Sequence, residues 1–253
     1  MKYAIIAAGH GSRLAEEGIS APKPLVTVGG ECLIDRLIRI FKAQGATEIC
    51  VICNEQMPQV AEHLKQMQLS MNNCQLSILQ KTTPSSMHSL YELSPLLGSE
   101  PFVLTTVDTI FREDEFAAYV AAFRQMLDSS EADGLMAVTD YIDDERPLYV
   151  KTDEQSLGIT AFLDIDPQPR YISGGIYALT ARSIETLRQC VARGDSRMRN
   201  FQRALIADGL RIKAFPFTKI LDIDHAADID KANRFLLWMS WPLPATHNSH
   251  PTA

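Results

Sequence analysis

The chain has 253 residues, of which 46% are hydrophobic, enough to bury a core as one large domain or two small ones. Its 24 basic and 31 acidic residues give a net charge of −7, which argues against a general positive field for long nucleic acids. No apolar run is long enough to span a bilayer. We therefore expect neither a nucleic-acid nor a membrane partner, and any recognition of phosphate must be local.

The five cysteines favour a reducing compartment, because they are odd in number and no signal peptide precedes them. We therefore expect a cytoplasmic protein. Cys50 and Cys53 have the spacing of a redox motif or of half a zinc site, but they lie in an apolar run with no second pair. Small buried residues of a strand are the simpler interpretation.

The first predicted strand, residues 2–8, runs into a glycine-rich loop. Gly9 and Gly11 let a backbone turn sharply and bring N–H groups close to an anion. Ser12 adds a hydroxyl donor and Arg13 a planar fork suited to phosphate oxygens. The segment from Ala7 to Arg13 is therefore predicted to bind a polyphosphate, with Ala7 and Ala8 at its start.

A lysine follows between two prolines, in the run Pro22-Lys23-Pro24-Leu25. The prolines fix φ on both sides, so Lys23 carries its charge on a stiffened backbone. Arg13 and Lys23 are expected to bracket the anion from two directions.

This two-part pattern resembles the nucleotidyltransferases that form nucleotide-sugars, in which Gly-x-Gly-Ser/Thr-Arg precedes Pro-Lys-Pro-Leu. The match continues through Val28-Gly29-Gly30 and reaches to about residue 236. The resemblance implies transfer of a nucleotidyl group from a nucleoside triphosphate to a phosphorylated acceptor, with Mg²⁺ as cofactor. Arg13 would hold the leaving pyrophosphate and Lys23 the phosphorus under attack.

Strands and helices alternate through the first half of the chain. Predicted strands are 2–8, 48–53, 75–79 and 101–107, and predicted helices are 31–44, 58–67, one capped by Ser85 or Ser86, and 113–127. Such alternation implies right-handed crossovers and a three-layer α/β/α sandwich around a mixed, mostly parallel, Rossmann-like sheet. We expect one nucleotidyltransferase domain over 1–238, with a nucleotide-binding half (1–110), an acceptor half (111–238) and a loosely ordered tail (239–253).

The segment 80–90 lies between a predicted strand and a predicted helix, where open α/β sheets bind ligands. Its hydroxyls and amides suit a nucleobase or ribose. The resemblance implies that this loop reads the base, and the candidate residues are Lys81, Ser85, Ser86 and Ser89. An ordinary serine-rich helix cap remains the alternative.

The run 101–107 ends in Asp108, which would lie at the same edge of the sheet. The resemblance implies an aspartate here as a metal ligand, and a second one near the C-terminus at Asp224. Asp222 is expected to point to the opposite face of its strand and Asp228 to serve the positive end of a following helix.

The second half is predicted to begin with short strands at 135–138, 148–151 and 159–162, which would form a small antiparallel extension. A strand over 171–177, helices over 183–191 and 198–207, and a strand over 211–215 complete the chain. Gly174 and Gly175 interrupt the first of these, typical of a bulge or of close approach to a ligand. The resemblance implies contact with the acceptor.

The resembled family has a Glu-Lys-Pro before that strand, whereas this chain has Phe162-Leu163-Asp164-Ile165-Asp166-Pro167. The cation for the acceptor phosphate must come from elsewhere. Lys219 is the candidate, with Arg170 and Lys151 as alternatives.

The sequence thus predicts an enzyme that transfers a nucleoside monophosphate to an acceptor such as a sugar 1-phosphate, releasing pyrophosphate. A cytidylyltransferase for a phospho-alcohol such as phosphocholine is the closest alternative. A dinucleotide-binding module is disfavoured because Leu14 replaces a third glycine. A glycosyltransferase using Asp222-Ile223-Asp224 is disfavoured because that motif normally lies in the middle of a chain and here lies near the C-terminus. A non-catalytic nucleotide sensor is the alternative of another class, and the intact Arg13, Lys23, Asp108 and Asp224 argue against it. A homo-oligomeric state remains open.

Overall fold

The computed structural model describes residues 1–143 and 145–240. The strands are β1 (Lys2–Ala7), β2 (Thr27–Val28), β3 (Glu31–Cys32), β4 (Glu48–Cys53), β5 (Gln75–Gln80), β6 (Phe102–Thr106), β7 (Thr109–Ile110), β8 (Gly134–Thr139), β9 (Tyr149–Thr152), β10 (Ile159–Leu163), β11 (Tyr171–Leu179), β12 (Ile212–Phe217) and β13 (Leu221–Asp222). The helices are α1 (Ser12–Glu16), α2 (Leu33–Ala43), α3 (Pro58–Ser70), α4 (Ser86–Leu97), α5 (Glu113–Ser129), α6 (Arg182–Ala192), α7 (Met198–Ala207) and α8 (Ala226–Ser240).

The central sheet has the strand order β12–β8–β11–β6–β1–β4–β5. β1 is flanked by β4 and β6, both parallel to it, and Ile5 pairs with Val51 on one side and Thr105 on the other. β11 runs antiparallel to both of its neighbours, β6 and β8. The prediction of a mixed, mostly parallel sheet is confirmed.

The small antiparallel extension consists of β9 and β10. β9 pairs with the first two residues of β11, whereas β6 pairs with its last four. Of the three strands assigned to this extension from the sequence, β8 belongs instead to the central sheet, where it lies between β11 and β12.

Alternate residues of the strands supply two separate cores, one on each side of the sheet. Ile5 packs in a cluster with Phe41 of α2 and Tyr119 of α5. Its neighbour Ile6 packs in the other cluster with residues of α4, α6 and α7, such as Phe201. Because successive side chains of a strand point to opposite faces, this division produces the three predicted layers.

Short elements near the phosphate loop were not predicted, namely α1, the β2–β3 hairpin and the β7–β13 ribbon. Helix α2 begins at Leu33 and not at Glu31, because Glu31 and Cys32 pair with Val28 and Thr27 in the hairpin. Helix α8 continues through Ser240, so the first two residues of the predicted tail are helical. The rest of that tail, 241–253, lies outside the described residues.

The cysteines are free thiols. Cys50 and Cys53 are fully buried in β4, as the simpler interpretation predicted. Burial raises the pKa of Cys50 to about 12 and that of Cys53 to about 11, so both thiols stay protonated and unreactive at neutral pH. Within the described ranges, none of the helices combines the length and the apolar character that a membrane span requires.

The glycine pair in β11 marks an irregularity in the sheet. The register between β11 and β8 shifts between Ser173 and Tyr177. Gly175 has φ +71°, and a Cβ on Gly174 would overlap Cδ1 of Ile220 and lie 3.2 Å from the carbonyl oxygen of Ala137. Backbone conformation and packing therefore both require glycine here.

We predict that Gly174→Ala lowers the free energy of unfolding by about 1–3 kcal/mol, because the added methyl group has no space beside Ile220. Gly9→Ala is the control. Gly9 has no atom within 4 Å of an added Cβ and no positive φ, so its substitution should change stability by less than about 0.5 kcal/mol. Chemical denaturation measures both, and equal effects of the two changes would contradict the packing argument.

Candidate functional site

The phosphate loop joins β1 to the short helix α1. Gly11 precedes α1 with φ 61°, a conformation that favours glycine, and an added Cβ would lie 3.1 Å from Cβ of Lys23. Leu14 is buried and anchors α1 to the core. Glycine at position 11 thus lets the lysine-bearing segment approach the loop closely.

Lys23 lies in a single 3₁₀ turn, Lys23–Leu25, which Pro22 precedes. Its ammonium group donates a very short hydrogen bond to Asp108 and a 2.7 Å bond to Asp224. The lysine side chain is only 10% exposed. Burial by itself would lower the pKa of Lys23, but the charges of Asp108 and Asp224 outweigh it and raise that pKa above its usual value. Lys23 is therefore a cation at neutral pH.

Asp108 and Asp224 are far apart in sequence and are brought together by the pairing of two short strands. Asp108 follows β6, and the next residues form β7, which pairs with β13 just before Asp224. The backbone N–H of Ile223 donates to the carbonyl oxygen of Asp108 at 3.1 Å. Since both carboxylates bond the same Lys23 Nζ, the bonded oxygens lie within about 6 Å of each other, whereas two ligands of one Mg²⁺ lie within about 4 Å. A small approach of the two side chains would let them share one ion.

Asp222 does not face away from Asp224, so that expectation is wrong. Both residues line the same cavity, in keeping with the rule that residues two apart in an extended chain share a face. They differ in position, because Asp224 bonds Lys23, accepts a 3.2 Å bond from Arg13 and also lines the nucleotide cavity.

A first cavity of about 510 Å³ opens above the carboxyl ends of β1 and β6, and we call it the nucleotide cavity. It brings together most of the residues predicted to bind nucleotide or metal: Ala8, Gly9, Gly11, Ser12, Arg13, Lys23, Ser85, Ser86, Ser89, Asp108 and Asp224. Two predicted residues do not line it. Ala7 is buried inside β1, and Lys81 pairs with Glu92 at 2.7 Å.

The predicted base loop lines this cavity with hydroxyl groups that also bond one another. The Ser85 hydroxyl caps α4 and lies 2.9 Å from Nδ1 of His88. The Ser89 hydroxyl lies 2.6 Å from that of Thr83. These bonds fix the loop. A serine of this loop can therefore cap α4 and also face the cavity, so the two interpretations are compatible.

Asn54 is a residue that the sequence interpretation missed. It is fully buried, donates to the carbonyl oxygen of Ala8 at 3.1 Å and accepts from the Thr82 hydroxyl at 2.8 Å. It therefore ties the phosphate loop to the base loop. The available signal was a polar residue placed directly after a buried apolar strand.

A second cavity of about 300 Å³ adjoins the first and shares Arg13 and Asp224 with it; we call it the acceptor cavity. Gly174 lines it, together with Tyr141 and Arg146. Gly175 does not line it. An added Cβ on Gly175 would lie 3.3 Å from the Thr109 hydroxyl oxygen.

The predicted phosphate cation, Lys219, lies elsewhere. Its ammonium group lies 3.9 Å from the ring centroid of Tyr141, and it lines neither cavity. The alternatives also fail, since Arg170 stacks on Tyr171 and Lys151 is exposed in β9. In the described part of the chain, the Arg and Lys residues that line the acceptor cavity are Arg13, Arg146 and Lys231.

Asp224 is held by its neighbours. The Asp228 carboxylate accepts the backbone N–H groups of Asp224 and His225 at 3.1 and 2.8 Å, which confirms its predicted role at the start of α8. Glu17, just after α1, bonds His225 Nδ1 and the N–H of Ala226, each at 2.6 Å. The phosphate loop and the Asp224 segment are thus joined on both sides of the site.

Within residues 1–143 and 145–240, no three His, Cys, Asp or Glu side chains cluster in a way that could hold a metal ion. Asp108 and Asp224 offer two hard oxygen ligands, which suit Mg²⁺ when substrate oxygens and water supply the others.

The model of the family described as MobA-like NTP transferase domain matches residues 3–208. The chain is 24% identical over 251 residues to the bifunctional protein GlmU of Thermodesulfovibrio yellowstonii, covering 93% of this chain and 52% of that protein. It is 28% identical over 248 residues to the bifunctional IPC transferase and DIPP synthase of Rubrobacter xylanophilus, covering 92% and 51%. The chain therefore spans about half the length of these relatives.

A solved structure with a similar fold is a putative glucose-1-phosphate thymidylyltransferase from Bacillus anthracis in complex with a sucrose. The TM-score is 0.79 at 20% identity, with 93% of this chain and 94% of that chain covered. A similarity at this level of identity establishes the fold.

The Glu17–His225 contact leads to a pH prediction. Hydrogen bonding to Glu17 raises the pKa of His225 above 6.5, and hydrogen bonds from His225 and from the N–H of Ala226 lower the pKa of Glu17 below 4.5. The histidine contribution is complete below pH 6.5 and is lost as the pH rises through the raised pKa. The glutamate contribution is complete above pH 4.5 and is lost on acidification.

We therefore expect Glu17→Gln to lower the melting temperature most between about pH 4.5 and 6.5, the window between the two usual pKa values. Glu16→Gln, at the exposed neighbouring position, is the control. A difference between wild type and Glu17→Gln that does not vary with pH would contradict this interpretation.

Proposed function

Because the chain belongs to the MobA-like NTP transferase domain family, we propose that it transfers a nucleoside monophosphate from a nucleoside triphosphate to a phosphorylated small molecule. The observation that carries this proposal is the placement of Lys23 between Asp108 and Asp224, beside the glycine loop and Arg13. Cations and hard anions alternate there at the boundary of two adjoining cavities. Such a boundary is where a triphosphate and an acceptor phosphate can meet.

The proposed reaction is a single in-line displacement. An oxygen of the acceptor phosphate forms a bond to the α-phosphorus, and the bond from that phosphorus to the oxygen bridging to the β-phosphate breaks. Pyrophosphate leaves with both electrons of the broken bond. No covalent enzyme intermediate is needed, so catalysis consists of positioning and of neutralising charge.

Each cation has a place in this scheme. The loop N–H groups and Arg13 hold the β- and γ-phosphates, where a planar guanidinium can bond two oxygens at once. Lys23 stabilises the charge that develops around the α-phosphorus. The base loop, with Ser85, Ser86 and Ser89, faces the nucleobase or ribose.

Asp108 and Asp224 would hold Mg²⁺ together with triphosphate oxygens and water. The fit is supported by their convergence on one ammonium group, which shows that their carboxylates already face a shared cation. Bound Mg²⁺ would neutralise phosphate charge. Lys23 currently supplies the compensating charge, and a triphosphate would offer Lys23 an alternative partner.

The acceptor cavity is proposed to take a sugar 1-phosphate, with a phospho-alcohol as the alternative. Support comes from its contact with Arg13 and Asp224 at one end and with Gly174 and Arg146 at the other. A cytoplasmic location fits the five free thiols. A non-catalytic nucleotide sensor would not require Lys23 and two carboxylates to converge on one point.

The test of the proposal is pyrophosphate release. The purified protein is incubated with each of the four nucleoside triphosphates and Mg²⁺, in the presence or absence of sugar 1-phosphates, inositol 1-phosphate and phosphocholine. We expect release that depends on both the triphosphate and an acceptor. Nucleotide binding without such release would favour the sensor.

Lys23→Ala should lower turnover by about 10²–10³-fold, because it removes charge stabilisation at the reacting phosphorus. Lys219→Ala is a matched control, since Lys219 lies outside both cavities; it should remain within about threefold of wild type. Steady-state kinetics on folded, purified variants compare the two. Near-wild-type turnover of Lys23→Ala would exclude the assigned role.

Asp108→Asn and Asp224→Asn should each abolish most activity and raise the Mg²⁺ concentration for half-maximal rate, because asparagine keeps an oxygen but loses the negative charge. Asp222→Asn should have a smaller effect, since Asp222 lines the acceptor cavity, whereas Asp108 and Asp224 line the nucleotide cavity. A Mg²⁺ titration of the rate measures all three. The pairing of Asp108 with Asp224 is wrong if Asp222→Asn is the most damaging.

A further inference from the structure

A third cavity, of about 700 Å³, has no role in the proposed reaction. Four arginines line it, although the chain as a whole is acidic. We call it the arginine cleft, and its arginines are Arg146, Arg197, Arg199 and Arg203. It lies at the start of α7, opposite the first residues of β9.

The cleft borders both cavities of the candidate site. Glu145 and Arg146 line the arginine cleft and the acceptor cavity alike. On the other side, the backbone N–H of Arg197 donates to the Ser85 hydroxyl at 3.4 Å, and Ser85 lines the nucleotide cavity. A ligand in the acceptor cavity can therefore extend past Arg146 into the cleft.

The carboxylate that contacts Arg199 and Arg203 does not balance both of them. Asp164 is shared by Arg199 at 2.7 Å and Arg203 at 2.8 Å, so one of these two positive charges is uncompensated. Asp195 pairs with Arg193, which does not line the cleft. Glu145 lies at the far side, 4.0 Å from His225.

Arg197 adds a further positive charge. Its guanidinium makes no hydrogen bond or ion pair with any residue that the structure describes. Its backbone has φ 78° and ψ 141°, a combination that only glycine adopts readily and that is strained for other residues. The side chain is exposed, and no internal bond of it within the described residues offsets this strain.

The arginines also lie at the unfavourable end of α7. The N-terminus of a helix carries partial positive charge, where anions are stabilising and cations are not. Here Arg197 precedes the helix and Arg199 is in its first turn, with no acidic residue in that turn and no side-chain cap. A bound oxyanion would reverse the sign of this interaction and satisfy the arginines at once.

We propose that the arginine cleft binds a second oxyanion of the acceptor, a carboxylate or phosphate remote from the phosphate that attacks the nucleotide, and that Arg197 is one of its ligands. The acceptor is then a doubly anionic molecule. The identity of the ligand as an acceptor rests on the proposed function. The binding of an oxyanion in the cleft is independent of that function.

Calorimetric titration of the full chain with three probes tests the proposal. Glucose 1-phosphate carries no second oxyanion, glucuronic acid 1-phosphate carries a carboxylate, and glucose 1,6-bisphosphate carries a second phosphate. In the wild type, at least one doubly anionic probe should bind about 10–100-fold more tightly than glucose 1-phosphate, the usual range for charge-assisted bonds to arginine. The two charged probes show whether the cleft takes a carboxylate or a phosphate.

The decisive variant is Arg197→Gly, which removes the cation and suits the backbone conformation. It should reduce the preference for the doubly anionic probe by about tenfold or more, while its melting temperature rises. Arg188→Gln, an exposed position on α6 outside the cleft, should leave the preference unchanged. If Arg197 had a purely structural role, Arg197→Gly would change the melting temperature but not the ratio of the affinities for the doubly anionic probe and glucose 1-phosphate.

Equal affinities for all three probes in the wild type, or no binding of either doubly anionic probe, would overturn the proposal. So would a preference that survives in Arg197→Gly. Pyrophosphate release measured on the same samples tests the proposed function separately. Release without a preference for doubly anionic probes would overturn only the inference about the cleft, and the preference without release would overturn only the proposed function.

Discussion

The candidate site depends on one ammonium group shared by two carboxylates. Lys23 comes from the N-terminal loop, Asp108 from the end of a central strand, and Asp224 from the segment before the last helix. The Lys23 and Asp108 side chains are 10% and 19% exposed, whereas that of Asp224 is 46% exposed. The bond to Asp108 is thus the less screened of the two, and Asp224 is the partner that a ligand can reach. The rest of the site serves to hold these three groups at one point.

Much of the fold could be read from the sequence because its first half obeys simple rules. Buried parallel strands are continuous apolar runs, and helices such as α2 show one apolar face, so their positions and order followed directly. The phosphate loop and Lys23 were predicted from residue types that suit an anion, whereas the metal role of the two aspartates was implied by the resemblance to nucleotidyltransferases. The short β7–β13 ribbon escaped prediction because two-residue strands leave no periodic pattern.

The acceptor side was predicted less well, and the reasons are physical. Lys219 was chosen as a cation near the right strand, but its ammonium group stacks on Tyr141, an attraction that depends on tertiary placement alone. Gly174 and Gly175 were interpreted as one motif, but glycine is required at each for a different reason. At position 174 the reason is packing, and at position 175 it is a positive φ. Arg146 is far in sequence from the other three arginines of the cleft, and Asn54 is far from Ala8, which it bonds. Only the folded chain brings such residues together.

The pairing of β7 with β13 also has a consequence for how the molecule acquires its site during synthesis. The sheet strands that hold the phosphate loop and Asp108 are complete in sequence by residue 106, and their contacts are comparatively local. Asp224 joins them only by closing a loop of more than a hundred residues, a contact whose entropic cost is met late in folding. A growing chain on the ribosome can therefore form the strands through β6 while Asp224 has not yet been made. Until the segment that leads into α8 has emerged and docked, Lys23 has Asp108 but not Asp224 beside it, and the candidate site is incomplete.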